Sequence, residues 1–144
     1  MNQLDLKGRV AIITGGARGI GYATAERMLT SGAAVSLWDI DSNALETASA
    51  ALSDRGNVTT EQVELTDESS VDRAARSVVE KHGKIDILVN NAGITGGNGK
   101  LWELTPEVWR RVIEVNLISP YLTCRAVVPA MLKNGWGRIV NVAS

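Results

Sequence analysis

Apolar residues along this 144-residue chain form short continuous runs, and the segments between the runs have helical spacing. The runs predict five strands, at Val10–Thr14, Ala34–Asp39, and residues 58–65, 85–89 and 138–144. Most of the runs are continuous rather than strictly alternating, which is typical of strands covered on both faces. The pattern therefore favours a buried parallel sheet.

Helices are predicted between these runs. The best match to a 3.6-residue period is the set Val71, Ala74, Ala75, Val78 and Val79. Asp67 stands before this set as its expected N-cap, and Gly83 lies just beyond its expected end. Thr105, Pro106 and Glu107 give a second start signal, with a cap, a first-turn proline and a first-turn acid in order.

The strict succession of strand and helix predicts right-handed crossovers and an open parallel sheet. The expected fold is a doubly wound α/β domain of Rossmann type, with helices on both faces, formed by residues 1–144. The fifth predicted strand ends with the chain, so nothing follows to cover an apolar edge. We therefore expect the sheet to be incomplete at its C-terminal end and the chain to be the front part of a longer polypeptide.

Composition narrows the classes of partner. The chain has 15 basic and 16 acidic residues, so nothing in its charge favours nucleic acid. No apolar stretch approaches the ~20 residues that span a bilayer, and the N-terminal residues lack the pattern of a secretory signal. One cysteine, Cys124, and one histidine, His82, provide neither an intrachain disulfide nor a metal cluster. A cytoplasmic protein without a metal or a membrane partner is expected.

A glycine-rich turn follows the first predicted strand: residues 14–21 read T-G-G-A-R-G-I-G. Glycines at a junction between a strand and a helix let backbone N–H groups and a helix N-terminus approach a phosphate. The spacing here is Gly-x-x-x-Gly-x-Gly rather than Gly-x-Gly-x-x-Gly, so the glycines alone are weak evidence. A tight turn that merely closes a βα unit is the alternative.

Asp39, at the end of the second strand, strengthens the nucleotide hypothesis. An acid about 20 residues beyond the glycines is the expected ligand of a dinucleotide ribose. Its carboxylate can accept hydrogen bonds from the adenosine ribose hydroxyls, and it would repel a 2′-phosphate. Arg18 favours the opposite choice, since its guanidinium could pair with that phosphate. We expect the carboxylate to decide, which favours NAD over NADP.

Two further strand ends carry polar residues. Asn90, Asn91, Ala92 and Gly93 follow the fourth strand, and Ser144 ends the fifth. Ligands of open α/β sheets bind at the carboxyl ends of the strands, so these residues should lie near the glycine turn. A polar turn and a locally hydrogen-bonded serine are the alternatives.

Asn116 is a candidate for a different reason. Pro120 lies four residues further on and has no N–H, so in a continuous helix the Asn116 carbonyl loses its partner. A freed carbonyl can hold a water molecule. A proline kink without function is the alternative.

Taken together, these motifs resemble the short-chain dehydrogenase/reductase family over essentially the whole chain. The glycine turn is similar to the family's Thr-Gly-x-x-x-Gly-x-Gly motif, and residues 90–93 are similar to its Asn-Asn-Ala-Gly motif. The resemblance implies catalytic roles for Asn116 and Ser144. It implies a coenzyme site formed by Gly15, Ala17, Arg18, Gly19, Ile20, Gly21, Asp39, Glu64, Leu65, Asn91, Ala92 and Gly93.

The resemblance also implies a mechanism. In the family, a tyrosine acts as general acid–base on the substrate oxygen while hydride moves to or from the nicotinamide, and a lysine lowers the tyrosine pKa. The serine holds the substrate oxygen, and the asparagine carbonyl holds a water of the proton relay. The family's Tyr-x-x-x-Lys lies beyond Ser144, so these 144 residues alone are expected to be inactive. Glu64 stands where the family usually has Asp, and Leu65 is expected to supply the backbone partner of the adenine.

Similarity suggests the substrate only by class. Residues 94–100 are expected to rim the pocket, and the resemblance favours bacterial enzymes that oxidise sugars, sugar acids or other secondary alcohols. A 3-oxoacyl-carrier-protein reductase is the alternative, although such enzymes usually favour NADPH. A non-catalytic dinucleotide-binding sensor is the alternative from another class. The family also implies a homotetramer or homodimer, packed through the long apolar helical stretch of residues 105–133.

Overall fold

A computed structural model describes residues 4–143 of the chain. Ser144, the predicted catalytic serine, lies outside the described residues. The strands are β1 Val10–Thr14, β2 Ala34–Asp39, β3 Val58–Gln62, β4 Ile87–Asn90 and β5 Arg138–Asn141. The α-helices are α1 Gly19–Thr30, α2 Ser42–Leu52, α3 Glu68–His82, α4 Pro106–Ile113 and α5 Ser119–Lys133. A short 3₁₀ turn covers Leu101–Glu103, and a π-helical turn at Glu114–Ile118 joins α4 to α5.

The five strands form one parallel sheet in the order β3-β2-β1-β4-β5. Strand order reverses at the junction of β1 and β4, where the chain crosses from one half of the sheet to the other. In such a sheet, the carboxyl ends beside this junction form the ligand-binding crevice. The predicted doubly wound topology is confirmed.

Helices cover both faces of the sheet. On one face, Ala25 and Leu29 of α1 and Leu45 of α2 belong to an apolar cluster with the odd-numbered apolar residues of β1 and β2. On the other face, Val71 of α3 and Val127 of α5 pack in a second cluster with the even-numbered apolar residues of these strands. Every residue of β1 is buried, which accounts for its continuous apolar run.

The predicted helix ends are also confirmed. The Asp67 carboxylate accepts a hydrogen bond from Ser69 N at 3.1 Å at the start of α3. Gly83 closes that helix in the left-handed conformation, with φ of +82°. Thr105 Oγ1 accepts from Val108 N at 3.3 Å and caps α4.

The segment before Pro120 is not a regular α-helix. Instead of a simple kink, the chain forms the wider π-helical turn, in which Ser119 N donates to the carbonyl of Glu114, five residues back. Ser119 Oγ donates to the same carbonyl at 3.0 Å. Since Pro120 has no N–H to donate, the wider turn lets the hydrogen bonding continue past it.

Pro106–Lys133 forms one helical segment of 28 residues that is long and apolar enough to cross a membrane by length and composition alone. Its mean hydropathy reaches 1.2 in a window of which 22% is buried. This finding contradicts the expectation that no stretch approaches that length. The buried residues of α5 are Ser119, Thr123, Val127 and Met131, whose four-residue spacing turns one face toward the sheet. The core helix of an α/β domain passes the same test of length and apolarity.

Candidate functional site

Thr14, the last residue of β1, joins the ends of two neighbouring strands. Its Oγ1 accepts hydrogen bonds from the backbone N–H groups of Asn91 and Ala92, both at 3.0 Å. In return, Asn91 Nδ2 donates to the Thr14 carbonyl at 3.0 Å. Thr14 is buried, and Asn91 and Ala92 are half-buried. These three bonds join the glycine turn to the segment after β4.

Close packing explains two of the glycines in the turn. A Cβ on Gly21 would lie 2.6 Å from Asn91 Nδ2 and closer still to the carbonyl oxygen of Gly15. A Cβ on Gly15 would lie 3.1 Å from the Cα of Ala92, and Gly15 has φ of +61°. Helix α1 can therefore approach the segment after β4 only because these positions lack a side chain.

The N-terminus of α1 is open. Arg18 occupies the N-cap position without making a side-chain cap hydrogen bond, whereas Asp41 caps α2 and Asp67 caps α3. Gly19 has φ of +53°, and the space that its Cβ would fill is empty to 4 Å. The first-turn N–H groups of a helix attract an anion when no side chain satisfies them. This open turn fits the pyrophosphate of a dinucleotide.

Two side chains beside this opening point in different directions. Ile20 is 67% exposed, so it lies on the surface where a ligand would rest. Ala17 is only 8% exposed and packs in the apolar cluster beneath α1 and α2. Only the backbone of Ala17 is therefore left for a ligand contact.

Asp39 ends β2 one strand away from the glycine turn. Its Oδ1 accepts a hydrogen bond from Asp41 N at 3.2 Å. Asp41 in turn accepts from Ala44 N at 3.0 Å and forms an ion pair with Arg18. The Ala44 N–H, and then Arg18, lower the pKa of Asp41 below its usual value, so its carboxylate is ionised at neutral pH.

Glu64 follows β3 and is oriented by its own loop. Its Oε1 accepts from the Thr66 hydroxyl at 2.7 Å and from Thr66 N at 3.2 Å, and Arg111 Nη2 lies 3.8 Å away. The hydroxyl of Thr66 is the main cause that lowers the pKa of Glu64. Leu65 is half-buried against the second apolar cluster, so its side chain points inward.

Asn116 uses its side chain to hold the loop after β4. Its Oδ1 accepts from Ile94 N at 2.9 Å, and its Nδ2 donates to the Ile94 carbonyl at 2.8 Å. A Cβ on Gly93 would lie 3.3 Å from the same Oδ1. Asn116 and Gly93 are therefore brought together, and the π-helical turn carries the asparagine to the carboxyl edge of the sheet.

Asn90 links β4 to both of its neighbours. Its Oδ1 accepts from Thr123 Oγ1 of α5 at 2.6 Å, and its Nδ2 donates to Asn141 Oδ1 of β5 at 2.9 Å. The Asn90 carbonyl also accepts from Val142 N at 3.0 Å. These bonds fix the end of β5, the strand that leads to Ser144.

The structure brings the predicted site residues within 4–143 to one edge of the sheet. The exceptions are the side chains of Ala17 and Leu65, which pack inward. Within that range, no group of three or more His, Cys, Asp or Glu residues could hold a metal ion. Sequence reasoning gave no role to Thr14 or Asp41. Asp41 stands directly before Ser42 and Asn43, and such a run of capping residues would have indicated its place at a helix start.

A glycine turn after the first strand of a doubly wound sheet defines the class of Rossmann-type nucleotide-binding folds. Within this class, the chain belongs to the short chain dehydrogenase family, whose sequence profile matches residues 9–144. The family resemblance in the sequence is thereby confirmed.

Two relatives illustrate this similarity. The chain is 43% identical over 137 residues to a 2-dehydro-3-deoxy-L-rhamnonate dehydrogenase (NAD(+)) of Sphingomonas sp. (strain SKA58), with 95% of this chain and 54% of the relative covered. It is 38% identical over 142 residues to the 3-oxoacyl-[acyl-carrier-protein] reductase FabG of Chlamydia pneumoniae, with 98% and 57% covered. The chain thus spans little more than half the length of the curated relatives it matches.

Solved structures confirm the fold. An NAD⁺-bound xylitol dehydrogenase superimposes with a TM-score of 0.95 at 34% identity, over 98% of this chain and 55% of that one. A metagenomic short-chain oxidoreductase in complex with NADP superimposes with a TM-score of 0.90 at 36% identity, over 96% and 63%. Both coenzymes therefore occur among proteins of this shape.

Proposed function

We propose that the protein to which this chain belongs is an oxidoreductase that transfers hydride between NAD and a secondary alcohol or ketone. One observation carries the proposal: Thr14 and Asn91 join the glycine turn to the segment after β4, beside a helix N-terminus that no side chain caps. Membership of the short chain dehydrogenase family supports it. When bound, NAD supplies the hydride acceptor or donor.

We propose a sugar acid or a similar small hydroxy compound as substrate. Similarity to a 2-dehydro-3-deoxy-L-rhamnonate dehydrogenase (NAD(+)) in sequence and to a xylitol dehydrogenase in structure supports this class. The loop of residues 94–100 is fully or partly exposed at the carboxyl edge and is held at Ile94 by Asn116. We propose that this loop rims the substrate pocket.

Three residues take distinct roles in this proposal. Asp39 accepts hydrogen bonds from the adenosine ribose, which favours NAD. The carbonyl of Asn116 holds a water of the proton relay, while its side chain fixes the loop at Ile94. The hydroxyl of Ser144 holds the substrate oxygen, and the acid–base tyrosine and its lysine lie beyond Ser144.

A 3-oxoacyl-carrier-protein reductase is the second candidate, supported by the 38% identity with the Chlamydia relative. The carboxylate of Asp39 argues against an NADPH-preferring enzyme of that type. A sensor that binds dinucleotide without catalysis is the third candidate. The residues that follow Ser144 distinguish an enzyme from such a sensor, because an enzyme requires a tyrosine and a lysine four positions apart.

We also propose that two copies of the chain associate through the long helical segment. Trp109, Ile113, Leu117 and Tyr121 recur at four-residue spacing and are between 37% and 62% exposed. Four-residue spacing places successive side chains on one helical face. An exposed apolar stripe of this kind is typical of an interaction surface, and the family resemblance implies a homodimer or homotetramer.

Replacement of Ser144 tests the catalytic proposal. In the full-length protein, Ser144→Ala should lower kcat by about 100-fold or more, because a donor to the reacting oxygen is lost. The assay follows absorbance of the reduced coenzyme with a panel of sugar acids and secondary alcohols. Ser53→Ala, at the exposed C-terminal end of α2, is the control and should leave kcat unchanged. A Ser144→Ala kcat within about threefold of the parent would contradict the role.

A further inference from the structure

Asp41 contacts both Asp39, which favours NAD, and Arg18, which favours NADP. Its backbone N–H donates to Oδ1 of Asp39 at 3.2 Å. Its carboxylate oxygen Oδ2 receives a hydrogen bond from Nη2 of Arg18 and forms an ion pair with it. Its other oxygen, Oδ1, accepts from Ala44 N at 3.0 Å. One residue thus orients the ribose acid and engages the arginine.

The ion pair changes what Arg18 can offer to a coenzyme. A free guanidinium beside the glycine turn could form a bidentate pair with a 2′-phosphate. In this structure that guanidinium already has a carboxylate partner. A 2′-phosphate would have to displace the Asp41 carboxylate while also approaching the negative charge of Asp39. NAD, which lacks this phosphate, meets neither obstacle.

We propose that Asp41 is a specificity-determining residue that disfavours NADP by holding Arg18 in an ion pair. Asp41 acts through Arg18 and is therefore a positioning residue rather than a catalytic one. The inference rests on the proposed function, because it requires a dinucleotide at this edge of the sheet.

The substitution Asp41→Asn isolates the charge. Asparagine caps helices about as well as aspartate, so the bond from Ala44 N is retained. The backbone bond to Asp39 is unaffected. In the full-length protein, the dissociation constant for NADP should fall about fivefold, because an exposed ion pair contributes a free energy of that size. The dissociation constant for NAD should stay within about twofold of the parent value. The gain should shrink at high salt, since exposed charges are screened.

Two further variants make the result specific. Asp54→Asn removes the same charge from an exposed position beyond the far end of α2 and should leave the NADP-to-NAD affinity ratio unchanged. Arg18→Ala removes the proposed intermediary. If Asp41 acts through Arg18, adding Asp41→Asn to Arg18→Ala should produce no further gain in NADP affinity.

Titration calorimetry with NAD and with NADP measures all of these variants without any need for turnover. A rise of about threefold or more in the affinity ratio for Asp41→Asn, abolished in the Arg18→Ala background, supports the inference. The inference is overturned, while the proposed function stands, if the parent binds NAD but Asp41→Asn raises the affinity ratio by less than about threefold. It is also overturned if Asp41→Asn raises the ratio equally in the Arg18→Ala background. A parent that binds neither coenzyme refutes the proposed function, and the inference with it.

Discussion

At the scale of single residues, the site depends on how closely backbone segments approach one another. Gly21 lies in the first turn of α1 against the carbonyl of Gly15 and the side chain of Asn91. The same Asn91 amide donates to the carbonyl of Thr14. One missing Cβ therefore sets the distance between the helix that should receive a phosphate and the segment after β4.

Gly21→Ala should be destabilising and should weaken NAD binding. Its Cβ would overlap the backbone carbonyl oxygen of Gly15 and lie 2.6 Å from Asn91 Nδ2, so the backbone must shift, at a cost of about 1–3 kcal/mol in the free energy of unfolding. Urea denaturation and NAD titration measure both effects. Ala23→Ser, which adds one heavy atom to the exposed face of the same helix, is the matched control and should stay within about 0.5 kcal/mol. Equal stability and affinity in the two variants would contradict the packing argument.

At the scale of elements, buried polar side chains hold β4, α5 and β5 in register. Asn90 is 5% exposed and Thr123 is 1% exposed, and their hydrogen bond measures 2.6 Å. Asn90 also donates to Asn141 of β5. Because Asn90 and Thr123 are shielded from water, each needs its partner, and the bond from Asn90 to the exposed Asn141 ties this buried pair to the end of β5.

Thr123→Val tests this network, since valine keeps the shape and removes the donor. The oxygen of Asn90 would be left buried without the Thr123 proton, which should reduce the free energy of unfolding by about 1–3 kcal/mol. Thr47→Val removes an equivalent hydroxyl from the exposed face of α2 and serves as the control in urea denaturation. If both variants lose the same small amount, the network does not stabilise the sheet.

Element identity and order could be predicted from the sequence, but several boundaries could not. The existence of five strands follows from apolar runs, although β5 is exposed along its whole length. Where a strand stops depends on hydrogen bonds between elements. β3 ends at Gln62 rather than at residue 65, and beyond its end Ser70 Oγ accepts a hydrogen bond from the N–H of Glu64. β4 begins at Ile87 rather than at residue 85, and the side chain of Asp86 accepts from Val10 N.

The π-helical turn shows a related limit. Pro120 indicates that one N–H is missing, but it does not specify how the helix accommodates the loss. The widened turn at Glu114–Ile118 depends on Ser119, whose N–H and hydroxyl both reach the Glu114 carbonyl. The side-chain bonds of Asn116 to Ile94 were equally unpredictable, since they join residues that only the fold brings together.

At the scale of the whole molecule, an apolar stripe lies exposed on the helical segment that contains α4 and α5. The stripe of Trp109, Ile113, Leu117 and Tyr121 lies on the same helical segment whose opposite face packs on the sheet.

Leu117→Glu should convert the proposed assembly to smaller species, because a charge at the centre of the interface cannot be desolvated cheaply. Light scattering coupled to size-exclusion chromatography measures the mass. Val79→Glu, a 37% exposed apolar position on α3, is the control. A monomeric parent, or an unchanged Leu117→Glu mass, would contradict the proposed interface.

The location of the site could be predicted at this scale, because a parallel sheet brings its strand ends to one edge. The glycine turn, Asp39, Glu64 and Asn91 meet there as the topology requires. The internal connections could not be predicted. Thr14 joins β1 to β4, and Asp41 joins Arg18 to the Asp39 loop, through contacts that sequence spacing does not encode.

Coenzyme binding by the full-length protein is the most direct test of the account. Calorimetric titration should show NAD binding, and Asp39→Ala should weaken it about tenfold or more, since hydrogen bonds to a charged group are lost. Asp54→Ala, an exposed acid beyond α2, should leave NAD affinity unchanged. If neither NAD nor NADP gives binding heat, or if Asp39→Ala binds NAD as tightly as the parent, the central claim is wrong.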